Sequence, residues 1–262
     1  MKRELFREER LKMILQIIDR QKSVTVDELA NRFEKSAGSI RLDLSELEKR
    51  GFIARTHGGA ILVENAPEDV ILHKKLLQIR EETKTEEKQR IGKAVVDLIQ
   101  DGDSILIDGG STTFFVSQFL HKKRNLKIIT TSVHLFPIIW QIPDATIYLT
   151  GGVIHRDYED SYGEITLESI NKFKPDHTIM GIDGVSCAYG FTTVDPVIAM
   201  VKREMFNVSK NLIVAADSSK FGKVCLLSVA DIKDAQVIVT DSGISDEIVE
   251  KIRAQGVKLI IT

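Results

Sequence analysis

Four short stretches of this sequence join glycine to hydroxyl, acidic or lysine side chains: "DGGSTT" (Asp108, Gly109, Gly110, Ser111, Thr112, Thr113), "TGG" (Thr150, Gly151, Gly152), "GIDG" (Gly181 to Gly184) and "ADSSKFGK" (Ala216 to Lys223). Glycine lets backbone N–H groups come close to an anion, and a helix that starts there adds unpaired amides and the positive end of its dipole. Lys220 can neutralise a phosphate, while Asp108, Asp183 and Asp217 can bond sugar hydroxyls. Together these are the mixed requirements of a sugar phosphate. Taken singly, a glycine pair also reads as a turn and each aspartate as a helix cap.

A different chemistry sits near the start, in "SAGSIRLDLSELEKRGFIARTHGG". Ser36 and Ser39 can reach phosphate oxygens, Arg41 can bond guanine or phosphate, and the small Ala37 and Gly38 allow close approach to a duplex. Arg55 and His57 stand where a hairpin contacts DNA backbone or minor groove.

The elements that position this second set follow from hydrophobic spacing. Phe6, Leu11, Ile14, Leu15 and Ile18 predict an amphipathic helix ending near Gln21. Thr25 caps a second helix and Glu28 returns the bond in a capping box, with Leu29, Ala30 and Phe33 as the apolar face. Ser36 starts a third helix that Gly51 ends; Ile40, Leu44 and Leu47 point inward, and Ala37, Gly38, Ser39, Arg41, Leu42, Asp43 and Ser45 are read as its outward face. "FIART" and "AILV" around "HGG" predict a β-hairpin. The order is that of a winged helix-turn-helix, whose last helix enters the major groove. The same parts also suit a small helical bundle that caps a protein partner.

The sugar-phosphate set calls for a different frame. The runs "SILID", "LKIITT", "ATIYL", "HTIMGI", "NLIVAAD", "AQVIVTD" and "VKLIIT" alternate with helical patterns such as "STTFFVSQFL", "EITLESINKF", "PVIAMVKREMFN" and "SDEIVEKIRAQ". Continuous apolar strands between helices predict a mostly parallel sheet covered on both faces, and ligands of such sheets bind at the carboxyl ends of the strands. The expected division is a winged helix-turn-helix over 1–63, a helical linker over 64–84 broken near Pro67, and an α/β domain over 85–262.

Charge agrees with this division. Residues 1–60 hold thirteen Lys and Arg against ten Asp and Glu, a net +3, so the remainder of the chain, with a total of -2, carries -5. With 43% hydrophobic and 28% charged residues the chain reads as a soluble globular protein with no membrane partner, and the cytoplasm is the expected compartment. Cys187 and Cys225 lie far apart and read as small buried hydrophobes. No motif calls for a metal or a cofactor.

The run "SVTVDELANRFEKSAGSIRLDLSELEKRGFIARTHGGAIL" resembles the N-terminal signature of the deoxyribose-operon-repressor (DeoR) family, matching it at Ser36, Ile40, Arg41, Asp43, Leu44, Gly51, Arg55, His57, Gly58 and Gly59. Ser39 replaces the usual threonine, and Leu42 replaces the usual second arginine. "DGGSTT", "LTGG", "GIDG", "GFTT" and "ADSSKFGK" are similar to the family's sensor domain, which is related in fold to ribose 5-phosphate isomerase and glucosamine 6-phosphate deaminase. The resemblance implies a DNA-binding regulator of the repressor type that works as a homodimer or homotetramer, with operator DNA and a phosphorylated sugar as partners. The rival is an isomerase- or deaminase-like enzyme with an accessory helical domain. Against it, Val185 stands where the deaminases carry a catalytic histidine, and Glu204 reads as an exposed helical charge.

Overall fold

The computed structural model describes residues 7–21, 23–49, 53–56, 58–62, 81–155 and 158–262. They belong to two compact units that divide between residues 76 and 77.

In the first unit, helix α1 (Arg7–Gln21) buries Leu11, Ile14, Leu15 and Ile18, the stripe expected from its spacing. Thr25 Oγ1 accepts the Glu28 amide at 3.2 Å while Glu28 Oε2 accepts the Thr25 amide at 2.8 Å, so the capping box opens α2 (Val26–Phe33). At the start of α3 (Ala37–Lys49), Ser36 Oγ accepts the Ser39 amide at 3.2 Å, and Ile40, Leu44 and Leu47 are buried. Strands β2 (Ile53–Thr56) and β3 (Gly59–Leu62) form the expected antiparallel hairpin.

A strand that hydrophobic spacing does not reveal, β1 (Ser23–Thr25), adds to the hairpin in the order β1-β3-β2. It explains one glycine of "HGG": a β-carbon on Gly59 would lie 2.1 Å from the Val24 carbonyl oxygen, so only glycine lets β1 approach. Gly58 has φ +97°, the left-handed turn conformation. Phe6, Gly51, His57 and Pro67 lie outside the described residues.

Asp43 departs from the expected outward face. It is 1% exposed, and Arg10 of α1 reaches it with two bonds, Nε to Oδ2 at 2.6 Å and Nη2 to Oδ1 at 3.1 Å. The physical reason lies in the helical period: Ile40, Asp43, Leu44 and Leu47 follow i, i+3, i+4, i+7, so Asp43 belongs to the inward stripe and needs a buried counter-charge.

The second unit is built on a parallel sheet whose strand order is β15-β14-β12-β9-β4-β5-β6. In chain order these are β4 (Ser104–Ile107), β5 (Lys127–Thr130), β6 (Thr146–Leu149), β9 (His177–Met180), β12 (Leu212–Ala215), β14 (Val237–Thr240) and β15 (Lys258–Ile261). They are the seven apolar runs of the sequence. Successive residues feed opposite layers: in β4, Leu106 joins a core with Val201 and Met205 of α8 (Pro196–Val208) and Val249 and Ile252 of α9 (Asp246–Arg253), whereas Ile105 and Ile107 join another with Ile91 and Val95 of α4 (Thr85–Val96) and Val116 of α5 (Ser111–Phe119). Helices therefore cover both faces.

Two smaller antiparallel sheets accompany it. One pairs β7 (Val153–His155) with β8 (Asp160–Tyr162), and the other is β10 (Gly184–Ser186), β11 (Gly190–Thr193) and β13 (Leu227–Ala230) in the order β10-β11-β13. Helix α6 (Phe136–Ile139) follows β5, and α7 (Glu164–Asn171) follows β8. Of the expected linker, only 81–84 lie among the described residues. No described helix is long and apolar enough to cross a membrane.

Candidate functional site

On the winged helix, α3 exposes Arg41, Leu42 and Ser45, with Leu42 at 66%. Ser36 is exposed and Ser39 half-buried at the N-terminal turn, and Ser36's hydroxyl is already engaged in capping. Arg55 does not simply project from the wing. Its Nη1 donates to Ser45 Oγ at 2.9 Å and reaches the Arg41 carbonyl at 3.4 Å, while its amide donates to Glu48 Oε1 at 3.1 Å. The guanidinium thus ties the hairpin to α3, fixing the wing against the helix that carries Arg41.

The α/β unit holds a cleft at the carboxyl ends of β4, β9 and β12. From β4 the chain runs along one edge of the sheet through β5 and β6, then returns to place β9 on the other side of β4. The cleft therefore lies at the switch point, where open α/β sheets bind ligands. Asp108, Gly109, Gly110, Ser111 and Thr112 form one wall, Gly181 to Asp183 a second, and Ile198, Lys202, Tyr158 and Lys220 complete the lining. Gly110 at the N-cap of α5 offers no side chain to the helix's first amides, leaving that end suited to an anion.

The charged floor is strongly organised. Lys202 Nζ donates to Asp108 Oδ2 and, at 2.9 Å, to the Gly181 carbonyl; both Asp108 oxygens accept the Gly181 amide, at 3.0 and 3.1 Å. Asp108 and Lys202 are 3% and 7% exposed, so this pair holds the ends of β4, β9 and α8 together. Asp160 packs beneath Gly109, where a β-carbon would lie 2.2 Å from its Oδ1. Burial, then the Asp108 charge, raises the Asp160 pKa to about 7 against the opposing pull of Ser132, Lys202 and His134.

The remaining expected residues are placed differently. Thr113 is fully buried and its hydroxyl donates to the Gly110 carbonyl at 3.0 Å, shaping the loop from behind. Asp183 lines the cleft and accepts Thr193 Oγ1 at 2.6 Å. Asp217, 2% exposed, caps the short turn Ser218–Lys220 by accepting the Ser219 amide at 3.0 Å. Burial works to raise its pKa, but Lys220, the Ser219 hydrogen bonds and Lys88 outweigh it and leave the carboxyl below its ordinary value. Gly151 and Gly152 lie on the turn after β6, away from the cleft: Thr166 Oγ1 of α7 donates to the Gly151 carbonyl at 2.8 Å. β6 is the sheet's edge strand, two places from β4.

Lys202, Tyr158 and Ile198 line the cleft and were not singled out from the sequence. Lys202 carries a signal, because Ile198, Lys202 and Met205 follow i, i+4, i+7 and a lysine there interrupts an inward stripe. Tyr158 carries none; it comes from the loop between β7 and β8, and its hydroxyl lies 3.4 Å from Asp195, the N-cap of α8. Val185 is buried and paired with Phe191, and Glu204 is half-buried.

Two family descriptions match the chain: "DeoR C terminal sensor domain" over residues 83–242 and "DeoR-like helix-turn-helix domain" over 10–66. The chain belongs to the DeoR family. Similar DeoR-family relatives include the HTH-type transcriptional repressor GlcR of Bacillus subtilis, 29% identical over 98% of this chain and 97% of that one. The transcriptional repressor AccR of Agrobacterium fabrum is 33% identical over 95% and 96%, and the glycerol-3-phosphate regulon repressor of Escherichia coli K12 is 31% identical over 87% and 88%. A ribose 5-phosphate isomerase A from Neisseria gonorrhoeae aligns with 51% of this chain and 52% of its own at 18% identity and a TM-score of 0.38. In DeoR-family terms the winged helix is the DNA-binding end of a transcriptional regulator, and the cleft lies in its sensor domain.

Proposed function

We propose that this regulator represses genes of sugar metabolism by binding operator DNA through its winged helix, and that a phosphorylated sugar seated in the α/β cleft controls that binding. The single observation that carries the reading is the side-chain-free N-terminus of α5 opening onto the cleft beside Lys220. Backbone amides from Gly109 to Thr112 would hold the phosphate with Lys220 as counter-charge, and Asp183 and Tyr158 would face the hydroxyls. A relative named for the glycerol-3-phosphate regulon supports a phosphorylated ligand. On the DNA side, Arg41 reads base edges, Ser36 and Ser39 approach phosphates, and Arg55 sets the wing.

The chain binds its effector without converting it, because buried Val185 cannot transfer protons where the resemblance puts a catalytic histidine. It works in the cytoplasm as a homodimer or homotetramer, pairing heads to match operator half-sites. Residues 1–63 are the DNA-binding domain, 64–84 the linker and 85–262 the sensor.

Calorimetric titration with a panel of sugar phosphates, each beside its unphosphorylated sugar, tests the reading. Only phosphorylated members should bind, and Lys220→Ala should weaken them about tenfold or more through loss of a charge-assisted bond. Equal binding of a free sugar, or unchanged affinity in the variant, would remove the phosphate assignment. The bound compound should be recovered unchanged after prolonged incubation; isomer or ammonia formed at enzymatic rates would favour the enzyme.

A further inference from the structure

Residues 81–84 join the sensor's first helix to the segment leading from the winged helix, and they are fastened to two of the loops that line the cleft. Glu81 Oε1 lies 2.7 Å from His134 Nε2, and the other ring nitrogen, Nδ1, lies 3.1 Å from Glu159 Oε2. The imidazole stacks on Phe114 of α5 with centroids 5.2 Å apart and planes at 26°. Glu159 stands between Tyr158, which lines the cleft, and Asp160, which packs under Gly109.

The second fastening is made by lysines. Lys84, at φ +55°, turns the chain into α4 and donates from Nζ to Ser218 Oγ at 2.6 Å, with Asp241 Oδ2 at 3.8 Å. Ser218 is two residues from Lys220 in the same short turn. Lys88 of α4 is buried, donates to the Thr83 carbonyl at 2.8 Å and contributes to the charge balance at Asp217, the cap of that turn. Neither fastening touches the cleft itself, yet each ends on a loop that does.

We propose that Glu81–Lys84 is a relay: the Glu81–His134–Glu159 bridge couples it to the Tyr158 loop and the Lys84–Ser218 bond couples it to the Lys220 loop, so occupancy of the cleft changes how the start of the sensor holds the chain leading to the DNA-binding domain. This rests on the cleft being the effector site. A ligand that bonds Tyr158 and Lys220 favours the arrangement of their loops that suits it, and it can act on a distant domain only through groups whose arrangement differs between the two states. Glu81 and Lys84 are such groups, because Ser218 rides on the Lys220 turn and His134, in the turn after β5, links Glu81 to Glu159 of the Tyr158 loop. His134 and Ser218 are positioning residues here, acting through the loops and not on the ligand.

Amide hydrogen exchange on the full-length protein tests this, with inorganic phosphate and a panel of sugar phosphates as probes. In wild type, a probe that slows exchange at Gly109 to Thr113 should also change exchange across residues 81–88. Ser218→Ala, a mild change, should leave the protection at Gly109 to Thr113 while making residues 81–88 exchange about two- to tenfold faster without ligand, the loss expected for one hydrogen bond. In Ser218→Ala combined with His134→Leu, which keeps an apolar body against Phe114, the response at 81–88 should disappear. Protection at Gly109 to Thr113 with residues 81–88 unmoved in wild type would overturn the relay and leave the effector site standing. A response that persists in the double variant would show that these two fastenings are not the route. No protection at Gly109 to Thr113 with any probe would overturn the effector site and the relay with it.

Discussion

Lys202 and Lys220 line the same cleft but stand in unlike surroundings. Lys202 is locked between Asp108 and the Gly181 carbonyl, whereas Lys220 sits half-buried beside Asp217 at the end of a short turn. Asp160 lies beneath this floor, where burial first, and then the neighbouring Asp108 charge, disfavour its ionised form. Its folded pKa of about 7 lies above the ordinary 3.8, so the folded state holds this proton more tightly than the unfolded chain. Stability is then greatest below the unfolded value and falls as pH rises through about 7, by on the order of a few kcal/mol. The hydrogen bond to Glu81 raises the His134 pKa above its ordinary 6.5 despite burial, so its contribution is likewise present below 6.5 and lost as pH rises through the folded value. Denaturant unfolding across this range should show most of the decline in wild type absent from Asp160→Asn, with a smaller loss from His134 remaining; an unchanged slope would contradict the assignment. For DNA, Arg41→Ala should cost ~1 to 3 kcal/mol of operator binding and relax discrimination at one base pair, provided Arg41 makes a bidentate base contact. Equal operator affinity in a folded variant would remove Arg41 from recognition.

At the scale of elements, α1 and α3 are joined by the buried Arg10–Asp43 pair. Asp43→Ala removes the buried carboxylate that pairs with Arg10 among the described residues and should destabilise the unit by ~3 to 5 kcal/mol, while replacing both with apolar residues of similar volume should recover most of that loss. Thermal unfolding of the two variants checks this, and a double variant as unstable as the single would contradict it. Asp43 was read as outward although Ile40, Asp43 and Leu44 follow the inward i, i+3, i+4 pattern, and nothing in that pattern points to Arg10 as its partner. The seven sheet strands were legible because each is a continuous apolar run, as burial on both faces requires. Strands β1, β7, β8 and β10 were not: each has three residues, too few for a period to show. Asp108, Gly109, Gly110, Ser111, Thr112, Asp183 and Lys220 were found in the sequence as strand-end chemistry and line the cleft. Gly151 and Gly152 carry the same signature at the sheet's edge, where neighbouring strand order, invisible in a linear sequence, keeps them away.

At the scale of the molecule, a DeoR-family winged helix and sensor share one chain, and the proposed function requires that a small ligand in one alter the affinity of the other for DNA. Titration of the protein's own upstream DNA, with and without a sugar phosphate found by calorimetry to bind the protein, tests this most directly. For ordinary allosteric coupling, saturating ligand should change operator affinity about 5- to 150-fold, and operator should change ligand affinity by the same factor. Lys220→Ala should bind the ligand-free operator nearly as wild type does and fail to respond at the concentrations that shift wild type. A ligand that occupies the cleft of the wild-type protein and leaves its operator affinity unchanged would contradict the coupling of sensor to DNA-binding head.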